Sequence, residues 1–195
     1  MNNSMSPSPD LNAWQGLADI FRRRLADTHR IESLNRCIDQ KFMMVQMLRS
    51  GLQPGSRYRS RSAEQLLCDL ADDLSELLKA MNVRLHFSCF GQASDRTWFE
   101  NDYLGIWCLL MEVATMVRSG STIEINLGCL PDGLELEIGS DSAALEKFQL
   151  LRSAAWNFAS QLIPVTNARN LKCPLGGGAI QLDLPGPHPQ QRRVA

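Results

Sequence analysis

The spacing of apolar side chains changes along the chain and predicts where helices give way to strands. Between Leu11 and Ser50 there is no proline, and apolar residues recur at intervals of seven positions. This spacing predicts one continuous helix of about 40 residues over that range. A second leucine stripe, over residues 63–81, follows a segment that contains Gly and Pro, and it predicts a helix that returns antiparallel to the first.

These two helices form a predicted hairpin over residues 10–82, preceded by a disordered tail over residues 1–9. Two long helices cannot fully cover each other's apolar stripes. Pairing of two hairpins into a four-helix bundle would bury the remaining apolar surface. We therefore expect a homodimer that is joined through the helical hairpin.

The second half of the chain alternates between apolar and polar positions, which is typical of strands. The predicted strands cover residues 83–88, 121–130, 133–140 and 179–184. Helical spacing predicts further helices over residues 103–118 and 143–162. The turn Pro131-Asp132-Gly133 joins two of the strands, because Pro presets φ and Gly accepts a positive φ. Helices on one face of a mixed or antiparallel sheet make the fold class α+β, over residues 83–185, with a disordered tail over residues 186–195.

Charge and cysteine content exclude several classes of function. The formal net charge is -1, which gives no electrostatic attraction for nucleic acid or an anionic membrane. The six cysteines include no Cys-x-x-Cys pair, which argues against zinc and against a disulfide framework. No run of 18 apolar residues predicts a membrane span. We expect a cytoplasmic protein with reduced thiols and without a metal or cofactor.

Three features in the order of the predicted elements carry a family resemblance. The helix over residues 103–118 runs into Arg-Ser-Gly-Ser, the hairpin reads TIEINLGCLPDGLELEIG, and the last strand reads Gly-Gly to Leu-Pro over residues 177–185. Residues 20–185 thereby resemble a histidine kinase core. This resemblance implies a dimerisation and phosphoacceptor hairpin followed by an ATPase domain of the GHKL type, an α/β sandwich.

The nucleotide-binding motifs of that family are degraded in this sequence. Val113 stands where the family places the Asn that binds magnesium-ATP, and an apolar side chain cannot coordinate magnesium. Asp141 matches the adenine-reading Asp-x-Gly box, but no glycine follows at the expected place. The apolar segment 143–162 replaces the glycine-rich lid. The chain is therefore most similar to bacterial kinase-like histidine phosphotransferases, and we expect no ATP binding or hydrolysis.

This resemblance implies a histidine on the first helix that relays a phosphoryl group between the aspartates of response-regulator receiver domains. His29 is the candidate phosphoacceptor, because it falls on the outward side of the seven-residue seam. Glu32, one turn further on, would accept the other ring N–H and fix the tautomer. Arg30 and Arg36 would help a receiver domain to dock. The acidic residue and the Pro that usually follow the family's histidine are missing here.

Two other functions remain open on the sequence. A catalytically silent dimeric adaptor would keep the fold and bind a partner through the hairpin. An active histidine kinase would need a polar substitute beside Val113, and Glu112 is the only candidate. The simplest interpretation of the arginines at 22–24, and of the acidic residues at 69–76 including Asp73, is solvated surface.

Overall fold

The computed structural model describes most of the chain as a mixed sheet covered by helices. The described residues are 9–25, 31–50, 62–90, 98–130, 133–146, 150–173 and 176–185. The helices are α1 Leu11–Leu25, α2 Ile31–Ser50, α3 Ala63–Ala80, α4 Glu100–Met116, α5 Ala143–Glu146 and α6 Ala154–Ala159, with a 3-10 turn at Leu150–Arg152. The strands are β1 Arg84–Phe90, β2 Thr122–Leu130, β3 Gly133–Ser140, β4 Asn167–Lys172 and β5 Gly178–Pro185.

The five strands lie in the order β1-β2-β3-β5-β4, with β1 parallel to β2 and all other neighbours antiparallel. Ile125 pairs with Ile138, and Ile138 pairs with Ile180, so the apolar positions of successive strands share one face. All three side chains are fully buried. The predicted strands β2, β3 and β5 are confirmed, whereas two residues of the predicted turn, Pro131 and Asp132, lie outside the described residues.

Helix α4 packs between the sheet and other helices, which is why it is apolar on all sides. Every residue from Asp102 to Ala114 is buried. Gly105 allows helix α4 to approach the chain after α6 closely, because a Cβ at Gly105 would lie 2.5 Å from the Cγ1 atom of Ile163. Trp14 of α1 completes the packing, with its ring centroid 6.0 Å from that of Trp107 and 5.7 Å from that of Phe158.

The prediction of one helix from Leu11 to Ser50 is wrong. Arg22 Nε donates a hydrogen bond to Asn35 Oδ1 at 3.1 Å, although the two residues are 13 positions apart. A straight helix would separate them by about 20 Å. Helices α1 and α2 therefore fold back on each other. The physical reason is that the apolar side of α1 packs on α4 and α6, where its side chains are buried: Trp14, Leu17, Ala18, Phe21 and Leu25.

Helices α2 and α3 also run antiparallel, as the ion pairs Arg36–Glu76 and Lys41–Asp73 show. The leucine stripe of α3, at positions 66, 70, 74 and 77, is at most 1% exposed within the single chain. The unburied stripe from which we inferred a four-helix bundle is thus covered by the chain itself. The bundle, the homodimer and the domain boundaries stay predictions.

Three further differences concern the second half of the chain. The predicted helix over residues 143–162 is wrong, because Ser153 starts a new helix there by accepting a hydrogen bond from Trp156 N at 2.9 Å. Strand β4 was not predicted, since this edge strand is exposed and has no apolar alternation. The predicted strand over residues 83–88 is observed as β1, but Phe87, at one of its apolar positions, is 42% exposed. Across the described helices, none is both long and apolar enough to cross a membrane.

Candidate functional site

The segment of α4 that we matched to the family's magnesium-binding motif is closed to solvent. Val113 and Glu112 are both 0% exposed. Arg24 Nη1 of α1 lies 2.7 Å from Glu112 Oε2, and the same atom donates a hydrogen bond to Thr115 Oγ1 at 3.4 Å. The only polar substitute beside Val113 is therefore already neutralised by a guanidinium of the same chain. Arg24 is exposed, as expected, but its interpretation as merely solvated surface is incomplete, because it is the ion-pair partner of a buried residue.

Asp141, which we matched to the family's adenine-reading box, has a structural partner. Its Oδ1 atom accepts a hydrogen bond from Thr122 N at 2.7 Å. The adjacent Ser140 Oγ donates to the carbonyl oxygen of Thr122 at 2.6 Å. These two bonds fasten the end of β3 to the beginning of β2. One oxygen of the Asp141 carboxylate is thus engaged by the backbone of the sheet.

The glycines around the beginning of β5 serve close packing. Gly177 has a φ of +80°, and a Cβ there would collide with the carbonyl oxygen of Ser140. A Cβ at Gly178 would lie 2.7 Å from the carbonyl oxygen of Leu145. Only glycine lets this strand approach the backbone of Ser140 and Leu145 so closely.

The predicted relay residues are only partly described. His29 and Arg30 lie outside the described residues. Glu32 is exposed in the first turn of α2. Arg36 is exposed one turn further on, and its Nη1 atom lies 2.7 Å from Glu76 Oε2 of α3. The structure thus joins Arg36 to Glu76, a pairing that the sequence did not predict, and gives no geometry for His29.

A buried polar cluster at the junction of α2, α3 and α4 was also missed. Lys41 is 5% exposed and forms an ion pair with Asp73, whose carboxylate also accepts a hydrogen bond from the Tyr103 hydroxyl. The Lys41 ammonium lies 5.0 Å from the centroid of the Tyr103 ring and 5.7 Å from that of Trp107. Asp73 is therefore not one of a set of solvated carboxylates. The available signal was Lys41 itself, which falls between Ile38 and Val45 on the apolar side of α2.

The thiols of Cys37 and Cys108, near this cluster, are unreactive because their pKa values are raised. Burial raises the pKa of Cys108 well above its ordinary value, and nearby Glu112 raises it too, whereas Lys41 opposes the shift. Burial is also the main reason why the pKa of Cys37 is raised. Both thiols stay protonated at neutral pH and are poor nucleophiles. No group of three or more His, Cys, Asp or Glu in the described part of the chain could hold a metal ion.

Comparison with known proteins identifies the fold through structure alone. No protein-family model matches the chain, and no curated protein sequence matches it. The catalytic domain of histidine kinase ThkA superposes with a TM-score of 0.55 at 9% identity, covering 67% of this chain and 97% of that one. This chain has the fold of a histidine kinase catalytic domain.

Two further structures agree. The cytoplasmic segment of histidine kinase QseC superposes with a TM-score of 0.53 at 13% identity, over 77% of this chain and 95% of that one. Histidine kinase AdeS of Acinetobacter baumannii gives 0.52 at 9% identity, over 88% of this chain and 96% of that one. Sequence identities this low establish the fold and no shared activity.

Proposed function

We propose that this chain is a component of two-component signalling that keeps a histidine kinase fold, does not use ATP, and relays a phosphoryl group through His29. The observation that carries the loss of ATP use is the buried contact between Arg24 and Glu112 beside Val113. A magnesium-nucleotide complex needs oxygen ligands that face an open site. Here the one candidate carboxylate is buried and paired, and its neighbour is apolar.

The relay needs only one nucleophile. A neutral imidazole nitrogen of His29 attacks the phosphorus of a receiver's aspartyl phosphate; an N–P bond forms, and the aspartate oxygen leaves as a carboxylate. The reverse step passes the phosphoryl group to the aspartate of a second receiver. Glu32 would hold the other ring N–H, and Arg30 and Arg36 would attract the acidic site of the receiver domain. The proposed homodimer would pair two such chains through their helical hairpins.

A catalytically silent adaptor is the second candidate, and the fold-back of α1 favours it. The outward placement of His29 was inferred for one straight helix, but α1 ends at Leu25 and α2 begins at Ile31. His29 lies in the sequence between the two helices. An adaptor would bind its partner without a covalent step and would not need this histidine.

Phosphotransfer from labelled receiver domains separates the two candidates. The protein is incubated with receiver domains that carry labelled aspartyl phosphate, and acid-labile label on the chain is measured for wild type and His29→Ala. Relay predicts label on the wild type and none on the variant. His86→Ala is the matched control, because His86 is exposed on β1 and has no assigned role. Absence of label from every receiver tested, with the receivers still bound, would instead support the adaptor.

A further inference from the structure

Strand β1 forms one of the two edges of the described sheet, with β2 as its neighbour. Arg84 N donates a hydrogen bond to the carbonyl oxygen of Ser121 at 3.0 Å, so the peptide groups of Arg84 point towards β2. The peptide groups of successive residues in a strand point to opposite edges. Those of Leu85 and Phe87 therefore point away from β2, in the direction from which a further strand could bond to them.

The exposed apolar side chains of β1 are aromatic. Phe90 is 61% exposed, the largest fraction among the large apolar side chains of the described residues, and Phe87 is also exposed. Phe87 pairs with Ile125 and so lies on the face of the sheet that the helices cover. Phe90, three residues later, lies on the opposite face. From Phe87 to Phe90 the sequence contains neither a charged residue nor a proline, two common means by which edge strands avoid pairing.

The other edge of the sheet, β4, is protected against pairing. Arg169 and Lys172 are both exposed on this strand, and charged side chains on an edge disfavour the addition of another strand. The described sheet thus has one edge that is open to pairing and one that is not. This combination allows two chains to close around a twofold axis, whereas two open edges would allow a growing fibre.

Strand β1 is complementary to itself in one antiparallel register. Phe87 is the middle residue of Arg84–Phe90, so a second β1 that pairs over the full length brings Phe87 opposite its own copy. The outward peptide groups of the two Phe87 residues then face each other, as a hydrogen-bonded pair requires. Arg84 lies opposite Phe90 of the second copy, where a guanidinium can stack on the ring, and the two Arg84 side chains stay apart.

We infer that the outward edge of β1 pairs antiparallel with β1 of a second copy of this chain, with Phe87 opposite Phe87, so that the five-stranded sheet continues across both chains. This contact is different from the pairing of helical hairpins in the proposed function. It does not depend on phosphorylation of His29, and it holds for a relay protein and for an adaptor alike.

Sedimentation velocity of the full chain measures the mass of the assembly for wild type, Phe87→Lys and Leu171→Lys. Leu171 is the matched control, because it is an exposed apolar residue on the opposite edge strand, β4. Phe87→Lys places like charges opposite each other and should halve the wild-type mass, whereas Leu171→Lys should leave it unchanged. An equimolar mixture of Phe87→Lys and Phe87→Glu should restore the wild-type mass, because position 87 faces itself. Thermal unfolding verifies that each variant folds.

Hydrogen exchange of the wild type gives a readout that needs no substitution. The amides of Leu85 and Phe87 should exchange about tenfold more slowly in the concentrated than in the dilute protein. The inference is overturned if wild type sediments as a monomer at about 100 µM, where a micromolar interface is occupied. It is also overturned if Phe87→Lys keeps the wild-type mass, since the copies would then be joined elsewhere, for example through the helical hairpins. A mixture of the two charged variants that does not restore the mass would contradict the pairing of Phe87 with its copy.

Discussion

Replacement of Arg24 by Met should destabilise the protein by about 2–3 kcal/mol. The substitution removes the guanidinium that faces Glu112 and keeps a long apolar side chain on α1. Glu112 would then hold a carboxylate inside the protein with no cation beside it. The change therefore measures how strongly the Arg24 contact stabilises the closed arrangement around α4.

The expected magnitude follows from the burial of the two partners. The Glu112 side chain is 1% exposed and Arg24 is 30% exposed. Breaking a fully buried ion pair costs about 3–5 kcal/mol, but water reaches the Arg24 side and lowers that cost. Neither Glu112 oxygen has a hydrogen bond of good geometry within the described structure, so the 2.7 Å contact to Arg24 is mainly electrostatic. No other described group would compensate for its loss.

Urea unfolding monitored by tryptophan fluorescence provides the assay. The unfolding midpoint should fall while the slope with denaturant stays constant. Arg23→Met is the matched control, because it removes the same charge from the adjacent exposed position and should change stability by less than about 0.5 kcal/mol. The double variant Arg24→Met/Glu112→Met should recover stability relative to Arg24→Met, with a coupling energy of about 1–3 kcal/mol. Equal stability of Arg24→Met and Arg23→Met would contradict a stabilising role for the contact between Arg24 and Glu112.

Three further predictions test other parts of the structure. Trp14→Ala should lower the free energy of unfolding in urea by about 3–5 kcal/mol, because Trp14 is buried against α4 and α6. A decrease below about 1 kcal/mol would show that α1 is not part of the core. Burial, followed by the nearby carboxylates on the sheet, raises the pKa of Glu137. The charged carboxylate of Glu137 therefore destabilises the folded state, and the protonated form does not. Glu137→Gln should raise the urea unfolding midpoint at neutral pH but not at about pH 4. An equal effect at both pH values would contradict this assignment. A thiol reagent should label exposed Cys68 rapidly and buried Cys108 only on unfolding. Mass spectrometry of the labelled native protein measures both. Early label on Cys108 would refute its burial.

The sequence predicted elements well where one periodicity dominated. Strands β2 and β3 alternate cleanly and are confirmed, as is helix α4. The break after α1 could not be predicted from the seven-residue spacing, because the same spacing is satisfied by a straight helix and by two helices that each bury one side. Strand β4 lies at an exposed edge of the sheet, so its polar residues show no alternation.

In the candidate site, too, some residues could be identified from the sequence, whereas some contacts could be found only in the fold. We matched Val113 to the family's Asn position from its neighbours in sequence; its side chain is buried, and the match itself stays a prediction. The contact between Arg24 and Glu112 joins residues far apart in the chain, and only the fold-back of α1 brings them together. Lys41 was the one local sign of a buried polar cluster, since a charged residue stands on an otherwise apolar side of α2.

The central claim is that this protein keeps a histidine kinase fold without using a nucleotide. Isothermal titration of the full chain with magnesium-ATP tests it most directly, with an active histidine kinase catalytic domain as the positive control in the same buffer. The account predicts no saturable heat for this chain at nucleotide concentrations that saturate the control. Saturable binding with a dissociation constant in the micromolar range would contradict it.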